Sequence, residues 1–583
     1  MGLDHDAECA GRETIFQGAR RAGVRIVGAC GGRGVCGTCA VQIAEGEVEL
    51  LQPPTPHARA QLAHGWLRAC LARPRGDCLV EISPRSLAPV ARTEVAGAAG
   101  SAWPADPAVR VHEVALPPPT LASGRADGER RLDALGDPRV TRVDLAALRE
   151  LPALARAHGW RLGVCVRGDE VIAVGAPGRR ALGLAVDLGT TNVAAFLLDL
   201  ETGGRRASLG IENPQAGYGA DLVSRIDHAV RAADGALALH RAAIDAIGSL
   251  ARDLCAATAT RVQDIVEVAV GGNTAMHHLL LRLPVAQLAR APFVPALAAA
   301  TDVKARDLGL PFAPGACVHL LPNVGGFVGG DHVATLLATA DEWAAGTSIV
   351  MDIGTNTEIS LVHAGAITTV SCPSGPALEG GHIACGMRAA DGAIERVAIA
   401  GDRVEVRTIG DVAPVGLCGS GVLDAVAAMR GAGVLDARGR IRPGHPAVRA
   451  PDGRRELALA PEVAFTQDDV RAVQLAKAAV RSGIDLLLRE AGLAEPALDR
   501  VLIAGAFGSY IDVRSAIAVG LVPALPSERF AQVGNAAGAG VQMALASVAL
   551  RARAREIAAR CRYLELGALA GFQKAFLRRI HFD

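Results

Sequence analysis

Two stretches decide the fold, LGLAVDLGTTNVAAFLLD at residues 182–199 and SIVMDIGTNTEISLVHAG at residues 348–365. In each, an apolar run ends in an aspartate, turns through Gly-Thr and two further small polar residues, and re-enters an apolar run. That is the pattern of a β-hairpin whose turn is rich in backbone amides and hydroxyls. A single Asp-Gly turn says little, because such turns are common. Two in matched contexts, their aspartates 165 positions apart, indicate a duplicated domain with a cleft between its halves. The donors suit a polyphosphate: Gly189, Thr190 and Thr191 in the first turn, Gly354, Thr355, Asn356 and Thr357 in the second. Asp187 and Asp352 can hold Mg2+ there, directly or through water.

Around these hairpins, short apolar runs alternate with helical stretches rich in Ala, Leu and Arg, which predicts an α/β architecture for residues 181–583. VLIAGAFGSYI at residues 501–511 runs a buried strand into Gly505 and Gly508, where backbone can lie close to an adenosine. Further glycine-rich turns, VGGNTAMHH (270–278), PNVGGFVGGDH (322–332), PSGPALEGG (373–381) and LCGSGVLDAV (417–426), each join a strand-like run to a helix-like one. Helix N-termini beside glycine are natural anion sites, and Gly419 and Gly421 join the nucleotide-binding candidates on that ground. Asp331 and Glu379 are the carboxylates placed to orient an attacking water, with a helix cap as the alternative for either. The adjacent His277 and His278 are expected to point to different helix faces and not to share a metal. Taken together, the two Asp-x-Gly-Thr turns and the later Gly-x-x-Gly turn resemble the phosphate 1, phosphate 2 and adenosine motifs of the actin, hexokinase and heat-shock chaperone superfamily. The resemblance implies a large duplicated ribonuclease-H-like (actin-like) ATPase domain using MgATP.

The N-terminal region carries a different chemistry. GACGGRGVCGTC at residues 28–39 sets Cys30, Cys36 and Cys39 in a Cys-x5-Cys-x2-Cys loop, with Cys70 following in WLRACLARP. Three close thiolates and one distant one describe a [2Fe-2S] site, and the loop's glycines let backbone wrap the sulfurs. A four-cysteine zinc site usually pairs two short Cys-x2-Cys arms, and here Cys70 stands alone. Cys78, eight positions on, sits in a strand-like stretch and is expected to be a buried structural thiol. The five-residue first gap resembles adrenodoxin-type ferredoxins and implies a small β-grasp domain. Such domains open with a β-hairpin, yet only twelve residues precede the helical ETIFQGARRAGV (13–24), so either the domain begins upstream or its sheet lacks strands.

Composition places the remaining boundaries. Residues 1–85 form the cysteine-bearing domain, and residues 86–107, rich in Ala, Gly and Pro, form a linker. Residues 108–180 form a small α/β middle domain, with an alternating strand, a helix closed by Gly159 and a hairpin turning at Gly168-Asp169. Sixty basic residues balance sixty acidic ones and aromatics make up 3% of the 583 residues, so nucleic acid and anionic membrane are not expected partners. No charge-free apolar run of ~18 residues occurs, and the odd number of scattered cysteines fits reduced thiols; the expected location is the cytoplasm.

An iron-sulfur domain, a linker, a small middle domain and an actin-like ATPase together resemble the reductive activators of corrinoid-dependent enzymes. NPQAGYGADLVSRI (213–226), GGNTAMHHLLLRLPV (271–285) and PNVGGFVGGD (322–331) look like that family's own segments. The resemblance implies ATP-dependent one-electron reduction of a cob(II)amide to cob(I)amide, with the [2Fe-2S] cluster as donor. Its partners would be a corrinoid protein or corrinoid-dependent methyltransferase and an upstream electron donor, and it implies a homodimer through the middle domain. A metabolite kinase with an appended ferredoxin, or an electron-carrier module whose nucleotide cleft does not hydrolyse, are the alternatives.

Overall fold

The structure is a computed structural model. It describes residues 13–22, 39–52, 65–83 and 105–582 except Ala220, Ala506, Phe507, Ser509 and Ala570, together with single positions at 6, 8, 9, 11, 24, 26, 86 and 103.

Each Asp-x-Gly-Thr stretch is a hairpin at the centre of a six-stranded sheet. The first sheet runs Arg205–Glu212, Asn192–Asp199, Leu182–Leu188, Ile265–Gly272, Cys317–Leu320 and Thr301–Lys304. The second runs Ala366–Cys372, Thr357–His363, Ser348–Ile353, Arg500–Ala504 and Phe530–Gly534, with Cys561–Tyr563 beyond Ala366–Cys372. In both, three antiparallel strands are followed by two parallel ones on the far side of the first strand. The duplication read from ten residues therefore extends to five strands in each half. Central strands such as Leu182–Leu188 are covered on both faces, which is why they read as unbroken apolar runs.

The halves are joined by two helices that exchange places. Gly330–Ala338 follows the fifth strand of the first half, and its Val333, Leu336 and Leu337 pack with Val350 and Leu502 of the second. Ala536–Ala546 follows the fifth strand of the second half and packs its Val541 and Leu545 among the core of the first. The two helices touch at Gly540, where a Cβ would fall inside the contact radius of the Ala334 carbonyl oxygen.

Outside these halves the described residues form three smaller sheets, one of them the pair Val48–Leu50 and Ala72–Pro74. Val109–Ala115, Arg161–Arg167, Glu170–Gly175 and Arg142–Val143 form another, covered by the helix Leu145–Ala157 and tied to the first half by Lys304 and Arg306 on Asp144. Arg167 from the same sheet reaches the fully buried Glu267, which also takes Arg551. In the N-terminal region Trp66–Arg68, Ala40–Glu45 and Leu79–Ile82 pair beside the helix Ile15–Arg21. Cys78 corrects its expectation: it precedes that last strand, is half-exposed, and directs its thiol at the carbonyls of Glu47 and Gly76.

The Gly540 crossing predicts a stability effect. Gly-to-Ala inside a helix ordinarily gains about 0.5–1 kcal/mol, whereas overpacking against backbone costs about 1–3 kcal/mol. G540A is expected to lose at the crossing more than it gains in propensity, which urea denaturation would register as a lower midpoint with an unchanged slope.

Candidate functional site

The helix crossing brings the two hairpin turns together. Thr191 Oγ1 stands 2.7 Å from Thr355 Oγ1, and the Thr355 hydroxyl donates to Glu379 Oε2 at 2.6 Å. Asp187 closes its strand next to Asn535, whose side chain caps Ala536–Ala546 and hydrogen-bonds the carboxyl. Asp352 occupies the equivalent place in the second half and accepts from the Thr335 hydroxyl of the other exchanged helix at 3.0 Å. Asp331 lies in the first turn of that helix. Each aspartate is thus held by a helix that crosses from the opposite half.

Glu358 joins them, although the sequence reading passed over it. It is the cross-strand partner of Asp352 and 6% exposed, accepting from Ser371 at 3.1 Å. In the first half Ala194 holds the corresponding place opposite Asp187. The signal was present as an acidic residue at the mouth of the apolar EISLV run. Thr335 and Asn535 gave no such signal, because their contacts come from distant segments.

Five carboxyls lie in one region, Glu358 buried and the other four partly exposed, and all five have raised pKa values. Burial, then Asp352, lifts Asp187 to about 7; burial, then Asp352, lifts Asp331 to about 8. Asp352 is raised by burial against the Thr335 hydrogen bond. Glu358 is pushed well above the carboxylate range by burial and by Asp331 and Asp352, and Glu379 is raised by burial, with Thr355 and Arg388 opposing. Such a cluster favours a cation. Among the described residues no three His, Cys, Asp or Glu converge on a single ion position. That suits Mg2+, which keeps several waters and takes one or two carboxylates plus phosphate oxygens.

The turns suit the phosphates. Asn356 Nδ2, in the second turn, is a buried donor without an acceptor among the described residues. Gly505 adopts φ +95°, and a Cβ there would stand 2.9 Å from Asp352 Oδ1, so the third motif lies against the second aspartate. Gly508 accepts from Gln532 at 2.7 Å. Gly419 begins the helix Gly419–Gly431, while Gly421 turns its bare face to the Ile394 carbonyl, a packing requirement of that helix on its strand. Thr357 is fully buried with its hydroxyl on Ser374 at 2.8 Å. His277 and His278 do not diverge as expected: their Nδ1 atoms are 3.3 Å apart in the buried helix Thr274–Leu281, and burial lowers both.

Of the four cysteines predicted to bind iron, Cys39 and Cys70 are described, and Cys30 and Cys36 lie outside the described residues. Cys39 Sγ and Cys70 Sγ are 3.3 Å apart and both buried. That is far beyond the ~2.05 Å of a disulfide. Two buried thiols side by side and not joined as a disulfide fit a pair of ligands on one iron.

Four family models cover the chain in order: a 2Fe-2S iron-sulfur cluster binding domain over residues 1–75, the RACo linker region over 98–181, the RACo middle region over 182–340, and the C-terminal ASKHA domain of RACo over 346–583. A corrinoid activation enzyme, RamQ of Eubacterium limosum, is 33% identical over 432 residues, spanning 69% of this chain and 71% of the relative. This chain belongs to the RACo family. A solved reductive activator for corrinoid, iron-sulfur protein superposes on this RACo-family chain with a TM-score of 0.75 and 30% identity, covering 99% of this chain and 96% of the other. The [Co(II) methylated amine-specific corrinoid protein] reductase of Methanosarcina barkeri is 25% identical, over 60% of this chain and 68% of the relative. The small sheet of residues 109–175 lies within the span matched by the RACo linker region. No helix among the described residues is long and apolar enough to cross a membrane.

The raised carboxyls predict a pH dependence. A folded-state pKa above the unfolded value means that the contribution to stability is complete below the ordinary range near pH 4 and is lost as pH rises through the folded values. Those values are about 7 for Asp187 and about 8 for Asp331. The urea midpoint of the nucleotide-free protein should fall from about pH 4 to about pH 8 and level off above that. D331N, which cannot ionise, should flatten that fall.

Proposed function

We propose that this chain is an ATP-dependent reductase that activates a corrinoid protein, transferring one electron to convert cob(II)amide to cob(I)amide. The observation that carries this reading is the joining, in one RACo-family chain, of an adjacent buried thiol pair to a two-sided acidic cleft lined with phosphate donors. Cys30, Cys36, Cys39 and Cys70 would hold the [2Fe-2S] cluster, which supplies the single electron. Residues 1–85 then serve as the carrier, reloaded by an upstream electron donor, and residues 181–583 as the ATPase, with 86–107 and 108–180 between them. Asp187 and Asp352 would hold Mg2+ through its waters. Gly189, Thr190, Thr191, Gly354, Thr355 and Asn356 would bind the polyphosphate, with Gly505 and Gly508 against the adenosine. Asp331, Glu358 and Glu379 would orient the attacking water and, once bound Mg2+ favours their ionised form over the protonated form that burial favours, receive its proton.

Coupling to ATP has a thermodynamic reason. A plant-type cluster sits near roughly −400 mV, and each ~59 mV of shortfall against the cobalt couple costs tenfold in a one-electron equilibrium. Closing the cleft on MgATP moves one half against the other and can alter how the partner's cobalt is held. ATP leaves as ADP and phosphate, and no phosphoryl group passes to a metabolite. The partner is expected to be a corrinoid protein or corrinoid-dependent methyltransferase, and the protein a homodimer in the cytoplasm.

The test is spectroscopic: reduced protein, a low-potential reductant and a cob(II)amide protein are mixed anaerobically and the cob(I)amide band is followed with and without MgATP. Growth of the band only with MgATP, abolished by C70A and by D352N, is the expected result. ATP hydrolysis without cobalt reduction for any corrinoid partner would sink the proposal. A non-hydrolysable analogue in the same assay separates closure from hydrolysis.

A further inference from the structure

Each hairpin turn is closed by its own strands and also held from outside the hairpin. In the first, Asn213 Nδ2 donates to the Gly189 carbonyl at 2.7 Å, the Asn213 N–H donates to the Thr191 carbonyl at 2.8 Å, and Arg225 Nη2 donates to the Thr190 carbonyl at 2.6 Å. In the second, the Ser374 hydroxyl donates to the Gly354 carbonyl at 3.1 Å and the Gly375 N–H to the Thr355 carbonyl at 2.9 Å. Asn213 and Ser374 occupy matching places, each between the third strand of its half and a short proline-containing turn, Pro214–Gly217 or Pro376–Glu379. The duplication thus includes a support behind each turn.

In a trans peptide the N–H points opposite to the C=O. Carbonyls held from behind therefore turn the intervening N–H groups the other way, and those of Thr190 and Thr191 have no acceptor among the described residues. The first half differs from the second in the charge of its support. Arg225 and Asn213 are fully buried, and the other contacts of the Arg225 guanidinium are the Gly219 carbonyl, the Gln215 amide oxygen and the Met276 sulfur. No carboxylate among the described residues forms an ion pair with Arg225. Burial lowers its pKa only to about 10, so the charge persists at neutral pH. Asp221 and Glu212 act on that charge from beyond ion-pair distance and favour it against the burial.

We propose that Asn213 and Arg225 are positioning residues of the first phosphate turn, holding its carbonyls so that its amides face the nucleotide. This rests on the ATPase reading above. It identifies the phosphates, rather than the nucleoside, as the part of the ligand that these residues serve.

The test uses the full chain. In N213D the remaining oxygen still accepts from the Gln215 N–H, as Oδ1 does now at 2.9 Å, but the donor to Gly189 is gone. R225K keeps the charge and loses the fork that spans Thr190 and Gly219. Each is expected to raise the Kd for MgATP by about tenfold, which is about 1.4 kcal/mol and the scale of one lost hydrogen bond. Adenosine, which has no phosphate, should compete with MgATP for both variants as it does for the wild type. A general loss of structure would weaken adenosine as much as MgATP, and that result would overturn the proposal. An unchanged MgATP Kd in N213D would also overturn it, whether or not R225K folds. A wild-type protein that binds no MgATP would instead defeat the ATPase reading itself.

Discussion

The cleft depends on the exchange of two helices that meet at the bare face of Gly540. Without it, Asp187 would have no Asn535 and Asp352 no Thr335, because each supporting side chain is delivered by the opposite half. The crossing also fixes the distance between the hairpin turns, so that Thr191 and Thr355 share a hydroxyl contact. A rigid close approach at one backbone point thus sets the spacing of a polar site some residues away, as close-packed interiors require. The same geometry makes the halves a natural hinge: they are joined through helices and few direct links between their sheets.

What those helices assemble is electrostatically unfavourable alone. Asp187, Asp331, Asp352, Glu358 and Glu379 all have their pKa values raised, and burial is the first cause in every case. Arg388 relieves only Glu379. Burial favours the protonated form of each, and a divalent cation bound among them would favour the ionised form instead. Asymmetry between the halves follows the chemistry. The second half adds Glu358 opposite its aspartate where the first half has Ala194, while the first half adds a buried cation in Arg225 where the second uses neutral donors.

The legible part of this arrangement was the part encoded locally. The Asp-x-Gly-Thr turns are short-range structures, and their repetition implied the sheets before any strand order was known. The hairpin at Gly168-Asp169 and the helix over residues 145–157 were readable for the same reason, through turn chemistry and spacing. Glu358 was one cross-strand pairing away from Asp352 and could have been found by writing out the hairpin register. Asn535 and Thr335 could not, because helix exchange is a property of the whole chain. Cys78 was misjudged because apolar neighbours suggested a strand interior, whereas the strand begins one residue later and leaves the thiol at its rim.

The ionic network on the far side of the first half bears on how the parts could move together. Arg167 of the small sheet and Arg551 of the helix Val548–Arg560 share Glu267, which lies on the central strand Ile265–Gly272. Removing one partner from a buried ion group costs far more than the group contributes as a whole, which ties the small sheet to the central strand, while the helix Val548–Arg560 also packs its Ala554 and Ile557 against Val350 and Leu502 of the second half. Lys304 and Arg306 on Asp144 extend that tie to the helix over the small sheet. A closing motion of the cleft must then take place between the halves and not between the first half and the small sheet. Whatever displacement the nucleotide produces is therefore carried outward by the second half moving against a composite body of first half and small sheet. The helices Gly330–Ala338, Ala536–Ala546 and Val548–Arg560 link the two, the second of them capped beside Asp187.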